Sequence, residues 1–134
     1  MLVDTGVFVS AADRDEPRHG ACAALLRGGR ELTVTGAVIP EAAWMIESRL
    51  GPAAEARFLR LVTSPAFVIV ELTAADYQRI IELVERYADM GLGTVDASIV
   101  AVAERLGITT VATLNRRDLA VVRPTHVDAF ELLP

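Results

Sequence analysis

Residues 94–113 read TVDASIVAVAERLGITTVAT, and this stretch decides the fold class. From Thr94 to Leu106 the chain is apolar almost all round apart from Glu104 and Arg105, the pattern of a helix buried on every side. Thr94 reads as its cap and Gly107 as its stop. Val111–Thr113 follows at once as a short β-branched strand. A fully buried helix feeding directly into such a strand is the repeating unit of a parallel sheet with helices on both faces.

Working outward, the same alternation recurs. Leu2–Asp4 reads as a short buried strand, and Thr5-Gly6 turns it into an apolar helix through Val7, Phe8 and Ala11. Asp13–Glu16 breaks that helix, and Pro17 suits the first position of a second one, which carries Cys22, Leu25 and Leu26 and stops at Gly28-Gly29. Leu32–Thr35 is the second strand. Pro40 opens a third helix on which Glu41, Trp44, Met45 and Ser48 share a face, and Gly51-Pro52 separates it from a fourth through Phe58 and Leu61. Phe67–Val70 is a wholly apolar third strand. The spacing of Tyr77, Ile80, Ile81, Val84 and Ala88 predicts a helix over residues 73–89, and Val127–Leu132 supplies a fifth, edge strand. The expected fold is α/β: one domain over residues 1–134, a central parallel sheet of four to five short strands, and right-handed crossovers.

Composition bounds the function. With 134 residues the chain suits one domain, and with 52% hydrophobic residues it is not intrinsically disordered. Mean hydropathy is +0.38, yet apolar stretches such as Ala97–Ala103 fall far short of the roughly 20 residues of a membrane span. The surplus of apolar residues points instead to a permanent partner or a dimer. All 13 basic residues are arginine and the net charge is −5, so any contact with a polyanion depends on local arginines or bound cations. Cys22 is the single cysteine, which excludes an intrachain disulfide and suits a reducing compartment. The opening Met1-Leu2-Val3-Asp4 lacks the features of a secretion signal, so the expected location is the cytoplasm.

In a parallel α/β sheet the ligand crevice lies at the carboxyl ends of the strands, where the strand order reverses. Three acids fall at such turns: Asp4 ends the first strand, Glu41 begins the helix after the second, and Asp96 sits in the first turn of the buried helix. Each alone is accounted for as a helix-terminal acid, favoured by the macrodipole by about 0.3–1 kcal/mol. Together they raise another possibility, because Asp96 heads the stripe Ile99, Val100, Ala103 and Glu41 heads Trp44 and Met45, which aims both inward. Carboxylates crowded in a partly desolvated crevice repel one another until a cation neutralises them. All-oxygen ligation selects Mg²⁺ or Mn²⁺, and an ion so held favours hydrolysis of a phosphodiester. Arg116, Arg117 and Arg123, close to the same rim, read equally as phosphate-holding groups or as solvated surface charges.

The opening Leu2-Val3-Asp4-Thr5, the pair Pro40-Glu41, the run Val95–Val100 and the loop Ala112–Leu119 together resemble the PIN-domain ribonucleases, and among them the VapC-type toxins of bacterial toxin–antitoxin pairs. The resemblance spans nearly the whole chain. It implies a Mg²⁺-dependent endoribonuclease acting on transfer or ribosomal RNA, a homodimer, and a VapB-type antitoxin whose C-terminal segment lies in the active-site groove. Position by position, Asp4, Glu41 and Asp96 match the family's metal-site acids. Asn115 stands where the family usually has Asp, leaving the site one charge short, and the sequence leaves open whether Asp118 takes over. Asp89 resembles a further acid of these toxins and reads equally as a solvated residue at a helix end.

Two other readings stand beside this one. A PIN-like fold with a weakened acid cluster could serve purely as a binding module, and Asn115 is the residue that keeps this open. A Mg²⁺-dependent phosphatase with Asp4 as phosphoryl acceptor calls for a second Asp two residues on, where Gly6 stands, and a lysine, which the chain lacks. Absence of lysine also rules out a phosphate-binding Walker A loop at Gly91–Gly93, and neither His19 nor His126 lies in a nucleophile motif.

Overall fold

The computed structural model describes all residues, Met1–Pro134. Five parallel strands form one sheet in the order β3-β2-β1-β4-β5, with β1 Leu2–Val3, β2 Leu32–Thr35, β3 Phe67–Val70, β4 Thr110–Ala112 and β5 Glu131–Leu133. The helices are α1 Thr5–Ala12, α2 His19–Arg27, α3 Val38–Leu50, α4 Pro52–Val62, α5 Ala74–Arg86, α6 Thr94–Leu106 and α7 Arg116–Val121, with a 3₁₀ turn at Ala88–Met90. From β1 to β3 the chain steps one way across the sheet; through α5 and α6 it then crosses to the other side of β1. Right-handed crossovers therefore put α1–α4 on one face and α5–α7 on the other. The order reverses between β1 and β4, so the crevice opens at Asp4 and Thr113.

The α/β expectation holds, and the central helix α6 is as buried as its composition demands: Ala97 to Ala103 are all buried. Cys22 packs fully buried, as a small core residue. Elsewhere the structure corrects the reading. Pro17 lies in a turn rather than opening α2, which begins at His19. Pro40 is the third residue of α3, not the first; within the opening turn its missing N–H removes no helical bond. On α3 the buried stripe is Val38, Ala42, Ala43 and Ile46, small and branched side chains on a helix packed against α4, α1 and β2, while Trp44 is 69% exposed. α5 is likewise rotated from its expected orientation. Asp76, Ile80 and Leu83 face inward and Tyr77 and Ile81 outward, since Asp76 is drawn in by a capping box with Thr73 and by Arg105, 3.0 Å away on α6. The fifth strand does lie at the edge beside β4, starting four residues later than expected, and α7 was not foreseen.

The core on the α1–α4 face centres on Phe8, whose ring meets Phe58 edge-on at 5.2 Å and Phe67 at 5.6 Å. Because Phe8 lies one turn along α1 from Asp4, this packing also fixes the helix that Asp4 caps. Phe8→Ala is expected to cost about 3–5 kcal/mol in urea unfolding; a loss below about 1 kcal/mol would show that the cluster does not anchor α1.

Candidate functional site

The site is built on the ends of β1 and β4. Asp4 follows the last residue of β1, is 5% exposed, and caps α1: its Oδ1 accepts from the backbone N–H of Thr5 at 2.6 Å. Its Oδ2 accepts from the hydroxyl of Thr113 at 2.7 Å, and its own N–H donates to Ala112 at 2.9 Å, so both the backbone and the carboxylate of Asp4 are tied to β4. The Thr5 hydroxyl donates to Glu41 on α3, bringing the second acid to the same corner. Asp96 sits half-buried in the first turn of α6. Asn115, just beyond β4, joins the remaining acids, since its side-chain N–H₂ group donates to Asp96 at 3.2 Å and to Asp118 at 2.9 Å.

The electrostatics match this crowding. Burial raises the Asp4 carboxyl against the pull of its hydrogen bonds to Thr113 and Thr5, and the charge of Glu41 raises it further. Burial, then the neighbouring charges of Asp4, Asp118 and Glu41, pushes Asp96 up to about 6. Asp118 goes the other way, held below the usual carboxylate range by Asn115 and by Arg117, whose Nε lies 3.0 Å from it. No three acid or imidazole side chains stand close enough to ligate one ion as they lie. The acids share a region and are joined through neutral donors, Asp4 and Glu41 by Thr5 and Asp96 and Asp118 by Asn115.

Among the residues singled out in the sequence, Asp4, Glu41, Asp96 and Asn115 are thus linked by direct hydrogen bonds or mutual charge, and Asp118 joins them because one turn of α7 returns its carboxylate to Asn115. Asp89 does not: it is exposed on the 3₁₀ turn and makes no hydrogen bond to any of them. The inward aim expected for Glu41 together with Trp44 is only half met, Glu41 being half-buried and Trp44 in solvent. Arg116 and Arg117 are exposed on α7, with Arg116 donating to the carbonyl of Pro134. Arg123 is engaged elsewhere: its guanidinium donates to carbonyls of Ala120, Val121 and Val122 at the end of α7. The sequence reading missed two residues, Thr5 and Thr113, which orient the acids. A hydroxyl residue within two positions of the end of β1 and of β4 is the signal that could have found them.

The pH response follows from these shifts. Asp76 and Glu104 resist the effect of burial through hydrogen bonds from Thr73 and Arg105 and from Arg79, and stay low, as Asp118 does. Between pH 5 and 7 the shifted acid left to titrate is therefore Asp96, while Asp4 is raised in the same direction. The folded pKa of Asp96 is raised, so the stability it contributes is present at low pH and lost as pH rises through about 6. The metal-free protein should thus melt at a higher temperature at pH 5.5 than at pH 7.5. Asp96→Asn should raise the melting temperature at pH 7.5 and flatten that slope; an unchanged slope would contradict the assigned burial and repulsion.

Comparison with known proteins adds the following. The PIN domain family model matches residues 1–123. The chain is 29% identical to Ribonuclease VapC26 of Mycobacterium tuberculosis over 135 aligned residues, covering 100% of both chains. In fold it is similar to the crystal structure of Mycobacterium tuberculosis VapC20, a sarcin–ricin loop cleaving toxin, with a TM-score of 0.77 at 21% identity over 82% of this chain and 85% of that one. It is also similar to FitAcB from Neisseria gonorrhoeae, with a TM-score of 0.67 at 17% identity over 99% of this chain and 96% of the other.

Proposed function

We propose that this chain, which belongs to the PIN-domain family, is a Mg²⁺- or Mn²⁺-dependent endoribonuclease that cleaves transfer or ribosomal RNA as the toxic component of a toxin–antitoxin pair. The observation that carries this reading is the buried carboxylate of Asp4 with the half-buried one of Asp96, both raised from their usual range, at the point where the strand order reverses. The donor set fits a hard divalent cation: its carboxylates are all oxygen donors, and the ionised forms of Asp4 and Asp96 are disfavoured until a positive charge arrives. Asp4, Glu41 and Asp96 would hold the ion, with Asp118 supplying the charge that Asn115 lacks. When bound, such an ion supplies Lewis-acid polarisation of the phosphate and a water of lowered pKa.

The chain's own residues do the rest. Asp4 and Asp96 present carboxylates from two different elements at the crevice, oriented by Thr5, Thr113 and Asn115. Arg116 and Arg117, exposed beside the acids, are placed to hold the backbone phosphates of RNA across an otherwise acidic protein. Arg123, committed to the end of α7, would position that helix rather than contact RNA. The antitoxin relationship has a candidate surface in a cavity of about 710 Å³ between α1, α2 and α4, with Phe8, Ala11, Leu26 and Phe58 in its lining and Arg27 and Arg57 beside them. An amphipathic segment with an apolar face, as a VapB-type partner would supply, fits that lining, whose charged rim carries Arg14, Arg27 and Arg57 beside Asp13 and Asp15. A homodimer would cover exposed apolar groups such as Tyr77 and Ile81 on α5.

Purified protein should cleave structured RNA with Mg²⁺ or Mn²⁺ and not with chelator present, and Asp96→Asn should reduce the rate at least 100-fold while the protein stays folded. Persistent metal-dependent cleavage in that variant would remove Asp96 from the site. Soluble wild-type protein without any cleavage would favour the pure binding module that Asn115 allows. Reversing the groove charges in Arg27→Glu/Arg57→Glu should weaken capture of the antitoxin at least tenfold by calorimetry with cleavage unchanged; equal affinity would place the partner elsewhere.

A further inference from the structure

We infer that Thr113 is a positioning residue, whose single hydroxyl locks the carboxylate of Asp4 to the loop that carries Asn115, so that the acids on β1, α6 and α7 move as one unit. The inference deepens the nuclease reading above and rests on it for its consequence, though its geometry stands independently. Thr113 is fully buried immediately after β4. Its oxygen accepts the backbone N–H of Asn115 at 2.9 Å and lies 2.7 Å from Asp4 Oδ2.

A hydroxyl has one proton to give and two lone pairs. A backbone N–H can only donate, so the contact with Asn115 takes a lone pair and the one proton is left for Asp4. Both directions are thereby fixed. Because Oδ1 of Asp4 is already held by the N–H of Thr5, the second bond fixes rotation of the carboxylate about its own axis and leaves one lone pair on each oxygen unused by these two bonds. The same threonine sets where Asn115 starts, and the Asn115 amide reaches Asp96 and Asp118. Three hydrogen bonds therefore run in series from Asp4 through the Thr113 hydroxyl and Asn115 to Asp118, a fourth branches from the Asn115 amide to Asp96, and Thr113 is the side chain that ties this network to the Asp4 carboxylate. Partners of this kind behind ligating groups typically change metal affinity 10- to 100-fold when removed.

Three proteins test this: wild type, Thr113→Val, which keeps the volume and removes the hydroxyl, and Thr113→Ser, which keeps the hydroxyl. Thr110→Val serves as the control, deleting a hydroxyl bonded to Glu131 at the far end of the same strand. The first measurement is amide exchange without metal. In wild type the Asn115 amide should be protected while Leu114 and Arg116 exchange freely. Thr113→Val should speed Asn115 exchange at least tenfold and Thr113→Ser should leave it near wild type. The second is Mn²⁺ binding by calorimetry, where Thr113→Val should weaken affinity 10- to 100-fold and Thr113→Ser and Thr110→Val should stay within about threefold of wild type.

An unprotected Asn115 amide in wild type overturns the inference even if Thr113→Val fails to fold. So does wild-type Mn²⁺ affinity in a folded Thr113→Val, or a loss that Thr113→Ser shares. Wild-type protein that binds no Mn²⁺ counts against the nuclease reading, and amide exchange then decides the positioning role alone.

Discussion

Negative charge that must be kept out of water yet cannot be paired inside the protein is the constraint on which this structure turns. Asp4 and Asp96 both lie at the crevice with their pKa values raised, Asp4 by burial and the charge of Glu41, Asp96 by burial and the charge of Asp4, so their ionised forms are unfavourable there. The chain meets the cost with neutral donors. Thr5 serves Asp4 through its N–H and Glu41 through its hydroxyl, Thr113 serves Asp4, and Asn115 serves Asp96 and Asp118. A neutral donor orients a carboxylate without cancelling its charge, so the region stays electronegative and stays ordered. An arginine in the same place would have quenched it, and the one arginine that does touch the cluster, Arg117, reaches only its outermost member, Asp118.

Holding such a cluster together requires stiff supports, and the fold provides them from both sides. Asp4 caps α1, whose Phe8 is wedged against Phe58 and Phe67. Asp96 begins α6, whose Ala97–Ala103 run is wholly buried. The far end of α6 is pinned to α5 by Arg79 with Glu104 at 2.8 Å and by Arg105 with Asp76 at 3.0 Å, and Glu104 and Asp76 are nearly buried. These pairs lie away from the crevice, where breaking either would leave an uncompensated charge and loosen the helix that aims Asp96. The Thr35 and Ser98 hydroxyls, bonded to each other between β2 and α6, add a polar contact beneath the same helix.

The outer surface repeats the apolar excess in the composition. Trp44 on α3, Tyr77 and Ile81 on α5, and Val68 and Ile69 on the edge strand β3 are all exposed, and the cavity beside α1, α2 and α4 is lined by apolar side chains with arginines among them. These exposed apolar groups are the surface that the proposed partners would cover.

The sequence alone determined the alternation of strands and helices, the burial of α6, and the placing of Asp4, Glu41 and Asp96 near strand ends, because periodicity, caps and breakers act over a few residues and need no partner. It did not determine which face of α3 or α5 turns inward. That was decided by side chains from other elements, the small residues of α3 against the sheet and Arg105 drawing in Asp76. Nor could it show that Asn115 bridges Asp96 to Asp118, that Arg123 is consumed at the end of α7, or that Thr113 joins β4 to Asp4, 109 positions away along the chain. Hydrogen bonds between distant residues depend on atomic positions set by the whole packed sheet, and no local pattern carries them.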